Sequence, residues 1–512
     1  MDPRCSARLK SLFHPHLLPL KALFFFVLGA SACMIPYIPI YIQYLGLSAS
    51  QNGLIFGGLP FVAMLSKPIT GGLADRGTFR PATLSRIFVA IQIVFMFAIY
   101  FVPRLEAEKE LPPLMTSTSC QTMLRQTVDH LPRYGKPPAG NFSCNVTWTG
   151  INATVDHVHF HDFAQLRNFV NGRNISCYCE YRPNDPDEAN QSGIHWTLQF
   201  WLTGLLLVFG WFGYGAAFTI NDTMAFALVE TSPVPTTYGT NRVFGTIGWA
   251  LCALLVGILL NTFSEDTSVN DNSFTSMFLT FLIIGCCGIA STFFLPPIRN
   301  VDTRHEDVSV AGHRIISFDV LLFCGGTFIM GICTGLLYGY FGWYLTELGA
   351  SNLLVGLAIF SQCVFEVPMM ALSGWIIREV GYHNCMVLSL VSFGVRFLGY
   401  YFLGNPWYVM LIETTHSIGF GLFYASMTSF AFERAPPGGA AMLQGLFGAT
   451  YEGFGQGIGG VAAGFIYQYY GGRTTWLAYG VFAFATAGCY ATTKLIGLRM
   501  HRSRTNTLVS QK

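Results

Sequence analysis

The sequence predicts an all-α polytopic membrane protein with twelve transmembrane helices in two halves of six. Three observations support this fold class: 52% of the 512 residues are hydrophobic and only 11% are charged, long apolar stretches recur along the chain, and a polar segment divides them evenly. Soluble proteins carry charge on about a quarter of their residues, so a soluble globular enzyme is excluded. Lys and Arg total 29 against 27 Asp and Glu, so no basic excess exists for nucleic acid, and we expect no such partner.

A transmembrane helix needs about 20 mainly apolar residues, and twelve stretches meet this requirement. Spans 1 to 6 are predicted at 22–40, 54–72, 86–103, 196–220, 243–262 and 274–297. Spans 7 to 12 are predicted at 316–344, 353–377, 386–404, 406–431, 441–467 and 475–497. We expect span 1 to be retained rather than cleaved as a signal peptide, because Pro36 and Pro39 follow its apolar run and no cleavage site stands out.

The order of spans and loops divides the chain into six segments. These are 1–103 with spans 1 to 3, the outer loop 104–195, 196–297 with spans 4 to 6, the middle loop 298–315, 316–497 with spans 7 to 12, and the tail 498–512. The middle loop is polar and charged, and it separates six spans from six. Two related halves of this kind are common in secondary transporters.

Basic residues beside the spans predict the orientation, since cytoplasmic loops carry an excess of Lys and Arg. The segments predicted to be cytoplasmic contain Arg4, Arg8, Lys10, Lys21, Arg76, Arg80, Arg299, Arg304, Arg314, Arg378, Arg434, Arg499, Arg502 and Arg504. The short outer loops contain only Arg473. We therefore predict that both termini are cytoplasmic and that the multi-pass protein resides in the plasma membrane.

The outer loop 104–195 has the composition of a glycosylated extracellular segment with disulfides. Its five N-glycosylation motifs lie at Asn141, Asn145, Asn152, Asn174 and Asn190. Its cysteines are Cys120, Cys144, Cys177 and Cys179. They suffice for two disulfides in an oxidising compartment, with three pairings open. Zinc sites usually separate their cysteines by two to four residues, unlike Cys177 and Cys179, so we expect no metal site.

The turns after spans 2 and 8 carry related sequences, GGLADRGTFR at 71–80 and GWIIREVG at 374–381. The first closely resembles the loop 2–3 signature of the major facilitator superfamily. The matching residues are Gly72, Asp75, Arg76 and Arg80. This resemblance covers most of the chain outside the loop 104–195. It implies the major facilitator fold, with these four residues as a cytoplasmic gating motif.

Two further segments narrow the resemblance. Lys67-Pro68 in span 2 and the segment from Tyr238 to Trp249, which opens span 5, are similar to the branch of sugar-proton and nucleoside-proton symporters. Among eukaryotic members, the chain is most similar to the group of facilitator domain-containing protein 6, also called macrophage MHC receptor 2-like. This branch implies transport of a solute together with a proton.

Charged residues inside the bilayer are functional candidates by default, because each costs at least about 2.5 kcal/mol at the bilayer centre. The candidates for a proton and substrate site are Gln362, Glu366, Arg396, Glu413, His416, Glu452 and Gln456. Spacings of three or four residues place six of them in pairs on shared helix faces. An acid that moves toward and away from Arg396 would load and release a proton. The alternative is that Arg396 neutralises one carboxylate as a structural pair.

The same set resembles the lactose-permease type, in which spans 8, 9 and 10 carry an acid, an Arg and a His/Glu pair. The matching residues are Glu366, Arg396, Glu413 and His416. Here the Glu precedes the His, the reverse of that type, so the identity of the proton carrier stays open. The resemblance also implies a substrate role for Arg242 and Trp249, with Asp222 nearby. For Asp222 and Arg242, a gate or a packing pair at the cytoplasmic end is the alternative.

The sequence therefore predicts a secondary active transporter that moves a small polar solute by alternating access, with proton symport as the expected coupling. No nucleotide-binding or catalytic motif supports another activity, so we predict neither an enzyme nor a cofactor, and the partners are the solute, the proton and the lipid bilayer. The alternative is a non-transporting surface receptor or regulator that binds an extracellular protein ligand through the loop 104–195.

Overall fold

The computed structural model describes residues 14–75, 79–105, 140–148, 155–160, 175–183, 197–234, 236–263, 272–296, 317–435 and 440–510. The chain forms two compact units. One consists of Met1–Pro103 with Thr197–Lys512 and contains the spans; the other is the outer loop, Arg104–Trp196. In its described residues, the unit that contains the spans is all-α, as predicted.

Predicted spans 1 to 8 fold as helices. Their bounds are Leu18–Met34 with Ile38–Tyr44, Ala49–Asp75, Pro81–Ala98, Leu198–Glu230, Tyr238–Thr262, Asn272–Ser291, Phe318–Glu347 and Asn352–Val380. Span 1 is in two pieces at Pro36, which has no backbone N–H to continue the helix. The part of the chain that the structure describes contains eight helices long and apolar enough to cross a membrane.

The region of predicted spans 9 to 12 is helical but less regular. Its α-helices are Tyr382–Tyr401, Val409–Ile412, Phe423–Arg434, Ala440–Gly448 and Gln456–Ser510. Gly471 breaks the last of these with a φ of 77°, which glycine adopts without strain, and so separates spans 11 and 12. π-Helical turns at Ser417–Leu422 and Ala449–Gly455 interrupt spans 10 and 11, and such turns are frequent at functional sites. The total of twelve crossings stays a prediction.

Side-chain caps supplied by the local sequence determine where four of the helices begin. Thr197, Ser317 and Ser351 each accept a hydrogen bond from the backbone N–H three residues on, and Thr237 forms a capping box with Thr240. These caps satisfy backbone donors that have no partner in the first turn, and each stabilises its helix by about 1 kcal/mol. The starts of spans 4, 5, 7 and 8 are therefore encoded locally.

The two halves contact each other at the end of the bundle that carries the predicted outer loops. Asn52 of span 2 donates from Nδ2 to the Gly339 carbonyl at 2.8 Å. The Tyr340 hydroxyl of span 7 donates to the Ala49 carbonyl at 2.6 Å. Both donor residues are fully buried. These bonds therefore join spans 2 and 7 in a contact that excludes water.

Glycines let spans 2 and 11 approach until their backbones touch at the same end. A Cβ added to Gly53 would lie 2.7 Å from the Cα of Gly464 and 2.7 Å from Tyr340 Oη. A Cβ added to Gly57 would lie 2.8 Å from the Gly457 carbonyl oxygen. Small residues favour helix association in membranes because they allow such close backbone contact. This end of the bundle is closed by glycine packing, and we call it the closed end.

The outer loop contains a three-stranded antiparallel sheet in the order β2-β1-β3. Its strands are β1 Gly140–Trp148, β2 Val155–Phe160 and β3 Ile175–Pro183. The register places Cys144 opposite Cys179, and Val146 opposite Cys177. The side chains of the loop lie outside the described residues, so the predicted glycosylation and disulfides stay predictions. The positions concerned are Asn141, Asn145, Asn152, Asn174, Asn190, Cys120, Cys144, Cys177 and Cys179.

Replacing Gly53 with valine tests the closed end. The added side chain overlaps Gly464 and Tyr340, so we expect the closed end to open. A membrane-impermeant maleimide added from outside should then modify Cys363, which lines the internal cavity, several-fold faster. Mass spectrometry of the peptide that contains Cys363 measures the rate.

Gly58→Val is the matched control for this experiment, because a Cβ on Gly58 meets nothing within 4 Å. Equal labelling of Cys363 in the two variants would contradict the role assigned to Gly53.

Candidate functional site

A cavity of about 260 Å³ lies between the two halves. Its polar and charged lining includes Arg242, Thr246, Trp249, Thr334, Gln362, Glu366, Arg396 and His416. Its aromatic lining includes Tyr214, Tyr338, Phe341, Phe393 and Phe420. Flat apolar walls with a few converging polar groups are typical of sites for small molecules.

Arg396 is the centre of the polar group in this cavity. Only 3% of the surface of Arg396 is exposed to solvent. The guanidinium donates to the carboxylate of Glu413 and, at 2.8 Å, to Nδ1 of His416. The Tyr400 hydroxyl also donates to Glu413, which is fully buried. The geometry makes Glu413 the counter-ion of Arg396.

The contact with Arg396 determines the tautomer of His416. A guanidinium has only donors, so Nδ1 of the imidazole must accept, and the hydrogen of the neutral ring lies on Nε2. Nε2 is 3.6 Å from Oε2 of Glu366, slightly beyond hydrogen-bond range. A second proton on Nδ1 would break the bond to Arg396 and bring two cations together. Nδ1 of His416 is therefore occupied by Arg396, and Nε2 is the ring nitrogen that faces Glu366.

Glu366 is the acid of this group that faces the cavity. Its side chain is 13% exposed, and among the described residues no Lys or Arg lies within ion-pair distance of it. The π-helical turn after His416 brings span 10 against it, because a Cβ on Gly421 would lie 3.3 Å from Glu366 Cγ. The two acids thus differ in kind: Glu413 is paired and buried, whereas Glu366 is accessible.

Glu452 and Gln456 lie in a second cavity, of about 150 Å³, and not with the other five predicted residues. Glu452 belongs to the π-helical turn of span 11 and pairs with Lys67 of span 2 at 2.7 Å. The predicted site is therefore divided into one part on spans 8 to 10 and one part between spans 2 and 11. Lys67 was not a predicted site residue. It lies inside predicted span 2, so a count of the charged residues in every span would have identified it.

Arg242 and Asp222 do not form an ion pair with each other in the described part of the chain. The Asp222 carboxylate accepts a hydrogen bond from the Tyr238 hydroxyl at 2.8 Å and lines a small separate space. The Arg242 guanidinium lies over the rings of Phe24 and Phe218 at 5.5 and 5.1 Å, which is within cation–π range. Because Arg242 lines the first cavity, it is available to a solute there.

The predicted gating motif is only partly described. Gly72 lies in the span 2 helix, and Arg80 is exposed immediately before the span 3 helix. Asp75 ends the span 2 helix, but its side chain, like the whole of Arg76, lies outside the described residues. At the related turn after span 8, Gly381 has a φ of 84°, so the conformation of the backbone requires glycine there.

A polar cluster that was not predicted from the sequence lies near the predicted cytoplasmic ends of the spans in the C-terminal half. His383 contacts Asp319 at 2.7 Å and Tyr490 at 2.6 Å, and Arg434 pairs with Asp319 at 2.9 Å. These residues join the ends of spans 7, 9, 10 and 12. No spacing in the sequence links them, because only the packing of four helices brings them together.

The formal charges that line the two cavities cancel when Glu413, the partner of Arg396, is included and Asp222, in the small separate space, is not. The positive groups are Lys67, Arg242 and Arg396, and the negative groups are Glu366, Glu413 and Glu452. An ion without a counter-ion is costly in a poorly solvated site, so a solute with net charge would disturb this balance.

Comparisons with known proteins agree with the predicted family. The model of the MFS_1 like family matches residues 17–478. The chain is 22% identical over 482 residues to the "Major facilitator superfamily domain-containing protein 6-like" of Danio rerio, which covers 91% of this chain and 83% of that protein. It is 26% identical over 258 residues to the "Putative nucleoside transporter YegT" of Escherichia coli (strain K12), which covers 47% of this chain and 58% of that protein.

Solved structures share the fold at low sequence identity. The nucleoside transporter NupG is 14% identical with a TM-score of 0.60, and the match covers 93% of this chain and 98% of that one. A D-xylose-proton symporter is 11% identical with a TM-score of 0.54, and the match covers 93% and 96% of the two chains. At these identities the likeness concerns the fold alone.

The two acids of the first cavity should respond differently when each is replaced by glutamine. Glu413→Gln leaves the buried charge of Arg396 without a counter-ion, and we expect a loss of stability of about 3–5 kcal/mol, as is usual for a broken buried pair. Glu366→Gln removes an accessible charge and should change stability much less. Thermal unfolding of the purified variants in one detergent measures both. Equal melting temperatures would contradict the assignment of Glu413 as the counter-ion.

Proposed function

The chain belongs to the MFS_1 like family, and on that premise we propose that this membrane transporter moves a small uncharged polar solute by alternating access, coupled to a proton. In alternating access, two halves rock around a central site. The observation that carries the proposal is the position of Glu366. Its carboxylate faces the cavity between the halves, 3.6 Å from Nε2 of His416.

Glu366 is the proposed proton carrier. Glu413 is buried and bonded to Arg396 and Tyr400, and His416 uses Nδ1 to accept from Arg396. A proton on Glu413 would remove the negative charge that balances Arg396, and a proton on Nδ1 of His416 would occupy the position at which Arg396 donates. Glu366 is partly exposed and can exchange a proton with water in the cavity. Of the three candidates that the sequence left open, Glu366 is thus the one whose protonation leaves the buried pair intact.

Protonation of Glu366 also provides a way to couple the proton to the solute. As a carboxylate, Glu366 attracts the Nε2–H of His416. Once protonated, it is neutral and gains an O–H donor, and it holds the imidazole less strongly. Two donors then become available to the oxygen atoms of a solute. The solute therefore binds best when the proton is bound, which is what symport requires.

The walls of the cavity support a sugar-like or nucleoside-like solute. Aromatic rings can stack on flat or apolar faces of such a molecule, while Gln362, Trp249 and Arg242 offer hydrogen bonds to its hydroxyl groups. Similar proteins include ones named as a putative nucleoside transporter, a sucrose permease and a maltose permease. We propose the same broad class of solute for this chain.

The proposed orientation places both termini in the cytoplasm and the outer loop outside the cell, with the protein in the plasma membrane. The asymmetry of Lys and Arg along the chain supports it. The receptor alternative depends on side chains of the loop, which lie outside the described residues, and membership of the family favours transport.

Proteoliposome uptake tests the proton coupling through Glu366. With radiolabelled uridine and maltose as probes, we expect an inward proton gradient to drive accumulation by the unmodified protein. Glu366→Gln cannot release a proton, so it should lose gradient-driven accumulation and keep exchange of labelled for unlabelled solute.

Glu379→Gln is the matched control for the proton experiment, because Glu379 is an exposed acid at the end of the same helix. Gradient-driven accumulation that persists in Glu366→Gln would exclude Glu366 as the proton carrier.

Glycosidase treatment tests the orientation. We expect N-glycosidase added to intact cells that express the protein to lower its apparent mass, because the proposed orientation has all five predicted acceptors outside. Replacing all five asparagines with glutamine should abolish the shift. A protein whose mass never changes would contradict the predicted topology.

A further inference from the structure

An exposed carboxylate joins two helices beside the closed end. Glu347 is the last residue of the span 7 helix and is exposed, whereas Trp343, one turn earlier, is buried. The Trp343 indole N–H donates to Oε1 of Glu347 at 2.8 Å, and the Tyr467 hydroxyl of span 11 donates to Oε2 at 2.5 Å. One side chain thus connects span 7 to span 11 through both of its oxygen atoms.

The two donors belong to the aromatic residues that pack at the closed end. The rings of Tyr340 and Tyr467 are stacked with their centroids 4.9 Å apart, and the Trp343 ring lies 6.3 Å from each. The fully buried Tyr340 is the residue that bonds to Ala49 of span 2. Glu347 therefore holds the ring against which the contact between the two halves is packed.

Little free space surrounds these rings. A Cβ added to Gly464 would lie 2.7 Å from Tyr340 Oη and 2.8 Å from the Cα of Gly53, and a Cβ added to Gly472 would lie 2.7 Å from Tyr467 Oη. The positions of the two tyrosines and the close approach of the helices therefore depend on each other. A looser hold on Tyr467 loosens the closed end.

Glu347 is not held in an ion pair in the part of the chain that the structure describes. The titratable or charged groups near it are Tyr344 on its own helix, Tyr467 on span 11, and Arg473 between spans 11 and 12, which lies beside Tyr344. Arg473 is exposed, so water and salt screen its charge. The Glu347 carboxylate can therefore exchange a proton with the surrounding solution.

A proton on Glu347 weakens its hold on the aromatic residues. Hydrogen bonds to a carboxylate are about twice as strong as those between neutral groups. Protonation removes the charge and converts one acceptor oxygen into a donor, whereas the indole N–H of Trp343 can only donate. The rings that close this end are then held less tightly.

The same residues adjoin the buried ion pair of the first cavity. The Tyr344 hydroxyl donates to the Tyr400 carbonyl at 3.1 Å, and the Tyr400 hydroxyl donates to Glu413. The Trp476 ring contacts the rings of both tyrosines. A continuous set of contacts therefore connects the closed end with the counter-ion of Arg396.

We propose that Glu347 is a second proton site, separate from Glu366, and that it controls the closed end. In the proposed orientation this end faces the outside of the cell. As a carboxylate, Glu347 keeps the end closed. A proton taken up from an acidic exterior lets the end open toward the side from which protons enter. This inference names a regulation of the proposed transporter and rests on its orientation and alternating access.

Labelling of Cys363 at two external pH values tests the second proton site. A membrane-impermeant maleimide is added to intact cells at about pH 7.5 and about pH 5.5, and each rate is divided by that of the denatured protein at the same pH, which corrects for thiol ionisation. For the unmodified protein we expect a corrected rate about threefold or more higher at the acidic pH, because both bonds to Glu347 lose their charge. Glu347→Gln is neutral throughout and should be labelled fast at both values.

Matched variants separate the bonds of Glu347 from general effects of substitution. Tyr467→Phe keeps the ring and removes the donor, so it should raise labelling at the higher pH, whereas Tyr470→Phe changes an exposed tyrosine of the same helix and should not. Glu379→Gln changes an exposed acid at the end of span 8 and should behave like the unmodified protein. Melting temperatures of the purified variants report on folding.

Two results would overturn the second proton site. One is an equal corrected rate for the unmodified protein at both pH values, and the other is a pH dependence that persists in Glu347→Gln. Glu366→Gln separates this site from the proposed carrier, since it should keep the pH dependence; a loss there would assign the response to Glu366 and also overturn the inference. Labelling needs no solute, so a failure of uptake would contradict the proposed function and leave the second proton site standing.

Discussion

The buried guanidinium of Arg396 is the constraint on which the first cavity depends. A charge inside a membrane bundle needs a counter-ion and hydrogen-bond partners, and Glu413 and His416 supply them. Because Nδ1 of His416 is used in this way, the N–H of its neutral ring lies on the side of Glu366. Glu366 is then the acid left open to the cavity. One ion pair thus assigns a separate role to each titratable neighbour, and all of these groups belong to the C-terminal half.

The contact between spans 2 and 11 shapes the space in which that chemistry takes place. At the closed end the helices touch through Gly53 and Gly464, with no room for a Cβ. Farther along the same helices the contact is made by the long side chains of Lys67 and Glu452. The residues that make the contact are therefore larger where the second cavity lies, and residues of both helices line that cavity. The π-helical turn of span 11 places Glu452 on the side that faces Lys67.

Much of the candidate site was predictable, and its limits follow from particular residues. Helical spacing alone predicts that Glu413 and His416 share a face, and the charge rule for membrane spans finds Arg396 and Glu366. These residues do meet in the structure. The same rule placed Glu452 with them, although it lies in the second cavity. Spacing within one helix does not reveal which other helix lies opposite. Only the packing of span 2 against span 11 places Glu452 beside Lys67, a lysine nearly four hundred residues earlier in the chain.

The sequence by itself determined the family, the apolar lengths of the helices and four of the charged residues inside the bilayer, which are Glu366, Arg396, Glu413 and Glu452. Each of these depends on residues that are close together in the chain, so local composition and spacing are enough to establish it. Only the tertiary structure decided that Glu413 is the buried counter-ion, that Glu366 faces the cavity and that the polar residues form two groups. Those distinctions depend on burial and on contacts between distant helices, because a carboxylate acquires its role from the groups that surround it in space.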